Sequence, residues 1–189
     1  MGQFTIEPLR IPAVGLVRAS KLSDPRGTFA ETYTVPGFEQ IGIGCRFVQD
    51  TEPLSLKAGT IRGLHFQTPP VAQSKLIYVV RGAIFDVAVD LRRSSPTFGR
   101  WCGVRLAAGG SEQVFVPKGF AHGYCTLEDD TTVIYKVDEL YDAQYDTGVG
   151  WNDPDIGVDW PLGPDRLTVS EKDAGLPMLR DISSPFSQG

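Results

Sequence analysis

Histidine is scarce in this chain, with His65 and His122 its only two. A metal site built on three histidines is therefore excluded, and metal-dependent chemistry is not the expected one. Cysteine is nearly as rare: Cys45, Cys102 and Cys125 are odd in number, widely spaced and without a C-x-x-C pair. That pattern does not make a disulfide framework and fits free thiols in a reducing compartment. No basic stretch followed by an apolar run opens the chain, and no apolar run approaches the ~20 residues of a spanning helix. The expectation is a soluble cytoplasmic protein without a membrane partner. Basic residues are outnumbered, 18 Lys and Arg against 23 Asp and Glu. Nucleic acid is thus not an expected partner, although a local cluster of cations can still hold a small phosphorylated ligand.

What the chain does have is apolar residue in ordinary amount, 41%, spread over 189 residues. That is enough to bury the core of one domain, expected to span 1–189. The apolar segments are short and punctuated by turns. Lys75 to Val80, then Arg81-Gly82, then Ala83 to Asp90 read as a hairpin. In the second arm, Phe85, Val87 and Val89 share one face, and Asp86 and Asp90 the other. Further strands are predicted over Gly99 to Leu106, Gln113 to Val116, Gly123 to Leu127 and Thr131 to Val137. Helix is limited to one turn at Gly37 to Ile41 and another in the last thirty residues. The end of the chain, 183–189, is expected to fray. Regular short strands with few helical periods predict a β-sandwich or barrel.

His65 stands inside Ile61-Arg62-Gly63-Leu64-His65-Phe66-Gln67. If this segment is a strand, Gly63, His65 and Gln67 point one way and Leu64 and Phe66 the other. The imidazole then projects from a rigid element, which suits a general base titrating near neutrality. Taken alone, it is as well explained as a core histidine satisfying a hydrogen bond.

Pro117-Lys118-Gly119-Phe120-Ala121-His122 is a turn that delivers His122 to a strand start. It resembles the second motif of cupin jelly rolls, which makes the expected fold mainly β: a cupin-type jelly-roll sandwich or barrel with a few short helices. Metal-dependent cupins also carry an H-x-H pair, and this chain has only His65 in the corresponding region.

Four further segments, in order, resemble the dTDP-4-dehydrorhamnose 3,5-epimerase family. They are Asp24-Pro25-Arg26-Gly27-Thr28-Phe29 with Glu31; Phe47-Val48-Gln49-Asp50 running on to the His65 heptapeptide; Ser95-Pro96-Thr97-Phe98-Gly99-Arg100-Trp101; and Gly119 to Gly123 continuing through Val133-Ile134-Tyr135 to Tyr141. The tail adds Trp151-Asn152-Asp153-Pro154, Asp159-Trp160-Pro161 and Ser170-Glu171-Lys172-Asp173. Each motif is weak alone; the ordered set covers nearly the whole chain.

The resemblance implies a cofactor-independent isomerase acting on a dTDP-linked 4-keto-6-deoxy sugar. It would invert C3 and C5, whose hydrogens flank the C4 ketone, through an enolate. His65 matches the family's base and Asp173 the carboxylate paired with it, as in catalytic triads. Lys75 matches the lysine that stabilises the developing O4 charge, and Tyr135 the acid on the opposite ring face. Their plainer roles are a surface acid, a strand-start lysine and a core aromatic. Arg26 and Arg62 match positions that hold diphosphate or sugar, a task for a guanidinium fork. Glu31, Gln49, His122 and Lys172 match further ligand contacts. Phe29 and Tyr141 match positions where the thymine stacks.

Part of the family's site comes from a neighbouring subunit, so a homodimer is implied. Family members commonly read Q-D-N where this chain has Gln49-Asp50-Thr51, and often a Glu where it has Asp146. Both departures touch binding rather than proton transfer. The alternatives are an epimerase of one centre only, a metal-dependent cupin oxygenase or isomerase, and a nucleotide-sugar binding module without catalysis. The last needs no opposed acid and base.

Overall fold

The computed structural model describes residues 3–187. In chain order, β1 (Phe4–Pro8) and β2 (Gly15–Ala19) are followed by the short pair β3 (Leu22–Asp24) and β4 (Gly27–Phe29). Helix α1 (Val35–Gln40) precedes β5 (Gln49–Thr51), β6 (Leu54–Ser55) and β7 (Thr60–Gln67). Then come β8 (Lys75–Arg81), β9 (Ala83–Asp90), β10 (Trp101–Ala107), β11 (Glu112–Val116), β12 (Phe120–Thr126) and β13 (Thr131–Val137). The last elements are β14 (Asp146–Gly148), β15 (Thr168–Val169) and the one-turn helix α2 (Glu171–Ala174). None of the helices formed by the described residues is long and apolar enough to cross a membrane.

Two sheets face each other. The first runs β1-β2-β11-β8-β13-β5, with β6 on the edge of β13; the second runs β10-β9-β12-β7-β14, with β15 parallel to β7. Ile77, Val79, Val114 and Val133 from the first sheet meet Ile84, Ala88, Leu106 and Phe120 from the second in one buried cluster. The outer faces are covered too. Phe4, Val17 and Leu76 pack under Phe38 of α1, which Thr34 caps by accepting from the Gly37 N–H. Leu64, Phe66, Val87 and Val89 pack under Val149, Ile156 and Phe186. This explains why β9 reads as an almost unbroken apolar run: both its faces are buried. Phe85, Val87 and Val89 do share the outer face, which leaves Asp86 and Asp90 turned inward.

Two expectations are corrected. Lys75–Arg81 and Ala83–Asp90 do not form a hairpin. β8 pairs with β11 and β13, whereas β9 pairs with β10 and β12. The chain passes from one sheet to the other at Gly82, which adopts φ +76° with Thr131 so close that a Cβ would lie 2.3 Å from its hydroxyl. Only glycine fits such a corner. The tail does not fray as far as Phe186. The Ser184 hydroxyl donates to the Leu91 carbonyl, Arg93 N–H donates to the Phe186 carbonyl at 2.9 Å, and the Phe186 ring meets Phe66 edge-on at 5.6 Å. Gln188 and Gly189 lie outside the described residues.

The pair β3–β4 stands apart, bonded to neither sheet. All six of its residues are exposed, including Leu22 at 71% and Phe29 at 67%.

Candidate active site

The site begins with the alternation of β7. Leu64 and Phe66 enter the outer core, and His65 turns to the space between the sheets. β7 approaches β12 so closely at Gly63 that a Cβ there would lie 2.6 Å from Gly123 Cα, and Gly63 has φ +129°. The pairing shifts register just beyond, so His122 lies directly opposite His65.

Helix α2 brings the next group. Ser170 caps it, its hydroxyl accepting from the Asp173 N–H at 3.1 Å. This turn seats Asp173, 4% exposed, against β7. Its carboxylate accepts from the Gly63 N–H at 3.0 Å and meets His65 Nε2 at 2.7 Å. A carboxylate only accepts, so Nε2 carries the proton and Nδ1 keeps the lone pair. Burial alone would raise the Asp173 pKa. The bonds from His65, Gly63 and Ser170 outweigh it and hold the carboxyl below its ordinary value.

Lys75 opens β8 on the facing sheet. It is 9% exposed, and its ammonium donates to the His65 carbonyl at 3.3 Å. No carboxylate lies within ion-pair distance of it among the described residues. Burial pulls its pKa down from 10.5 to about 8, with Asp146 and Asp86 opposing the fall. Tyr135 sits on β13 beside Ile77 of β8.

His65, Lys75 and Tyr135 line one cavity of about 260 Å³ together with Arg62, His122 and Asp173. Facing sheets stand ~10 Å apart, so a base on one and an acid on the other leave room for one sugar ring. A second space of about 400 Å³ adjoins it, shares His65, Lys75, Tyr135 and Lys172, and adds Gln49, Thr51, Tyr141 and Asp146. In that outer space Gln49 bridges two residues, donating to Thr51 Oγ1 at 3.2 Å and accepting from the Tyr141 N–H at 3.0 Å. Asp146, despite its short side chain, accepts from Tyr141 Oη at 3.2 Å and pairs with Lys172. The threonine and aspartate departures thus preserve a connected polar rim.

Four expected residues lie elsewhere. Asp50 points away and pairs with Lys136 at 2.8 Å. Arg26 pairs with Asp24 at 2.6 Å and, with Phe29, lines a separate cleft on the β3–β4 arm. Glu31 is exposed just beyond the arm. The chain by itself does not bring the last three to the cavity.

Sequence reasoning missed Asp86. Its carboxylate meets His122 Nε2 at 2.8 Å, and both groups are buried. An acid on the inward side of an apolar strand was the available signal, because a buried charge needs a partner. Tyr124 and Ser170 were missed as well. Among the described residues no group of three or more His, Cys, Asp or Glu gathers in a way that could hold a metal ion.

The chain matches the dTDP-4-dehydrorhamnose 3,5-epimerase family over residues 8–181. The enzyme of that name from Methanothermobacter thermautotrophicus is 46% identical over 182 residues, covering 96% of this chain and 97% of the relative. The crystal structure of the Bacillus anthracis dTDP-4-dehydrorhamnose 3,5-epimerase with TDP and PPi bound aligns at a TM-score of 0.89 and 47% identity, over 93% of this chain and 99% of that one. The Legionella pneumophila dTDP-6-deoxy-D-glucose-3,5-epimerase in complex with dTDP-4-keto-L-rhamnose aligns at 0.92 and 36% identity, over 98% of both chains. By sequence and by fold, the chain belongs to the dTDP-4-dehydrorhamnose 3,5-epimerase family, isomerases built on a cupin-like jelly roll.

Proposed function

We propose that the protein inverts C3 and C5 of dTDP-4-dehydro-6-deoxyglucose, giving dTDP-4-dehydro-L-rhamnose. The observation that carries this reading is the opposition of His65 and Tyr135, delivered by facing sheets into one cavity whose wall also holds a buried lysine. The C4 ketone acidifies the hydrogens on both neighbouring carbons. His65 Nδ1 takes one of them, and Asp173 steadies the imidazolium that results. The negative charge moves to O4, where the Lys75 ammonium stabilises it. In a cavity shielded from water such a donor is worth about 3–4 kcal/mol of barrier. Tyr135 returns a proton from the other face of the ring, which inverts the carbon. Once His65 has released its proton to solvent and Tyr135 has regained one, repetition at the second carbon completes the reaction.

The outer space suits the nucleotide. Tyr141, 56% exposed, offers an aromatic ring for thymine, and Lys172 and Arg62 offer charge to the diphosphate. Arg26, Phe29 and Glu31 fit this scheme as contributions to a second copy of the chain in a homodimer. An isolated two-stranded arm bearing exposed Leu22 and Phe29 supports that role.

The test is incubation with dTDP-4-keto-6-deoxyglucose in heavy water, reading deuterium at each carbon by NMR. Label at C3 and C5 is the expected result. Label at one carbon gives a single-centre epimerase, and none overturns the reading.

A further inference from the structure

Tyr124 lies on β12 two residues after His122, paired across to Asp86 on β9 and Arg62 on β7. It lines the inner cavity with His65, Lys75 and Tyr135. The residue is 3% exposed. Its hydroxyl is buried and finds no hydrogen-bond partner among the described residues. Buried polar side-chain atoms are in large majority paired, so an orphan of this kind calls for a reason. A phenylalanine would fill the same volume without stranding a polar atom.

The surroundings narrow that reason. The Ser55 hydroxyl lies nearby but outside hydrogen-bond geometry, and it already accepts from Arg62 Nε at 3.1 Å. Burial pushes the Tyr124 pKa well above the usual phenol range, so the group is a neutral donor at physiological pH. Arg62 is exposed and, among the described residues, is held by Ser55 and the Leu54 carbonyl, the latter at 3.1 Å. Arg62 lines the same cavity as Tyr124, and its charge acts on the phenol.

We propose that Tyr124 is a specificity-determining residue of the sugar pocket, its phenol donating a hydrogen bond to a hydroxyl oxygen of the hexulose held between His65 and Tyr135. The inference rests on the epimerase reading above. A pocket that leaves a buried donor unmade until the right sugar arrives rejects analogues lacking that oxygen more strongly than an apolar pocket can.

The test is Tyr124→Phe, measured three ways: thermal melting, affinity for dTDP alone, and kcat/KM on the sugar nucleotide. The expected result is a melting temperature equal to or above wild type, unchanged dTDP affinity, and kcat/KM lower by roughly tenfold or more. Unchanged kcat/KM overturns the proposal. So does a fall in melting temperature, which makes the hydroxyl a structural bond, or a parallel fall in dTDP affinity, which puts the contact on the nucleotide. Wild-type protein is assayed alongside. If it turns over and the variant matches it, Tyr124 alone is wrong; if wild type is inactive, the epimerase reading itself fails and this proposal falls with it.

Discussion

Lys75→Met separates stability from catalysis at the centre of this site. The lysine is buried with no carboxylate at ion-pair distance among the described residues, and its pKa lies at about 8 instead of 10.5. The unfolded chain therefore keeps the proton to higher pH than the folded protein does. Folding works against the charge at every pH below about 8, by about 3 kcal/mol. The penalty fades as pH rises from about 8 towards 10.5. Methionine fills similar space without a charge and gives up one hydrogen bond, to the His65 carbonyl, worth about 1 kcal/mol. The net gain is about 2 kcal/mol near pH 7, or roughly 4–8 °C in melting temperature for a chain of this size. Turnover should fall roughly 100- to 1,000-fold with the loss of the donor to O4. Paired melts of both proteins at pH 7 and pH 10 test this. The gap should be about 2 kcal/mol at pH 7 and close to zero at about pH 10, where the remaining penalty of about 1 kcal/mol only offsets the lost hydrogen bond. A variant less stable than wild type at pH 7, or a gap that widens with pH, refutes the reasoning.

Asp173→Asn should lower kcat by roughly 100- to 10,000-fold, because the amide no longer dictates which nitrogen of His65 carries the proton. Since the Asp173 pKa is depressed, its stabilisation is present above the ordinary carboxylate range and lost as pH falls through the folded value. Acid melts should accordingly show a shallower loss in the variant; an identical acid profile counts against the pairing. Gly63→Ala should cost roughly 3 kcal/mol or more in urea denaturation, from a Cβ 2.6 Å from Gly123 Cα at a φ of +129°, and a wild-type midpoint contradicts the close approach of β7 and β12. Mixing inactive Arg26→Ala with inactive His65→Ala subunits should restore about a quarter of wild-type turnover if each site takes its arm from the partner. No recovery after subunit exchange removes the shared site.

Much of the sandwich could be read from alternation: β7 sends His65 to one face and its packing residues Leu64 and Phe66 to the other, while β9 and β13 place Asp86 and Tyr135 among the inward core residues Ile84, Ala88 and Val133. The crossing at Gly82 could not. Two apolar arms around Arg81-Gly82 look the same locally whether they fold back on each other or turn a corner into the facing sheet. Only the partners β11 and β12, distant in sequence, decide it. The tail misled for a similar reason: Ser184 and Phe186 sit in a stretch rich in Ser and Pro, and their burial depends on Leu91 and Phe66 far upstream. The His65–Asp173 contact spans 108 residues, so no local pattern reveals it. It was legible through ordered motifs alone. Asp86 was visible as an inward acid, but its partner His122 was assigned to ligand instead.

The opposed acid and base are tested most directly by Tyr135→Phe with the sugar nucleotide in heavy water, followed carbon by carbon with NMR. If His65 removes the proton and Tyr135 only returns one from across the ring, C3 should still exchange with solvent deuterium while net inversion collapses. Loss of exchange together with inversion, or inversion at the wild-type rate, contradicts the account.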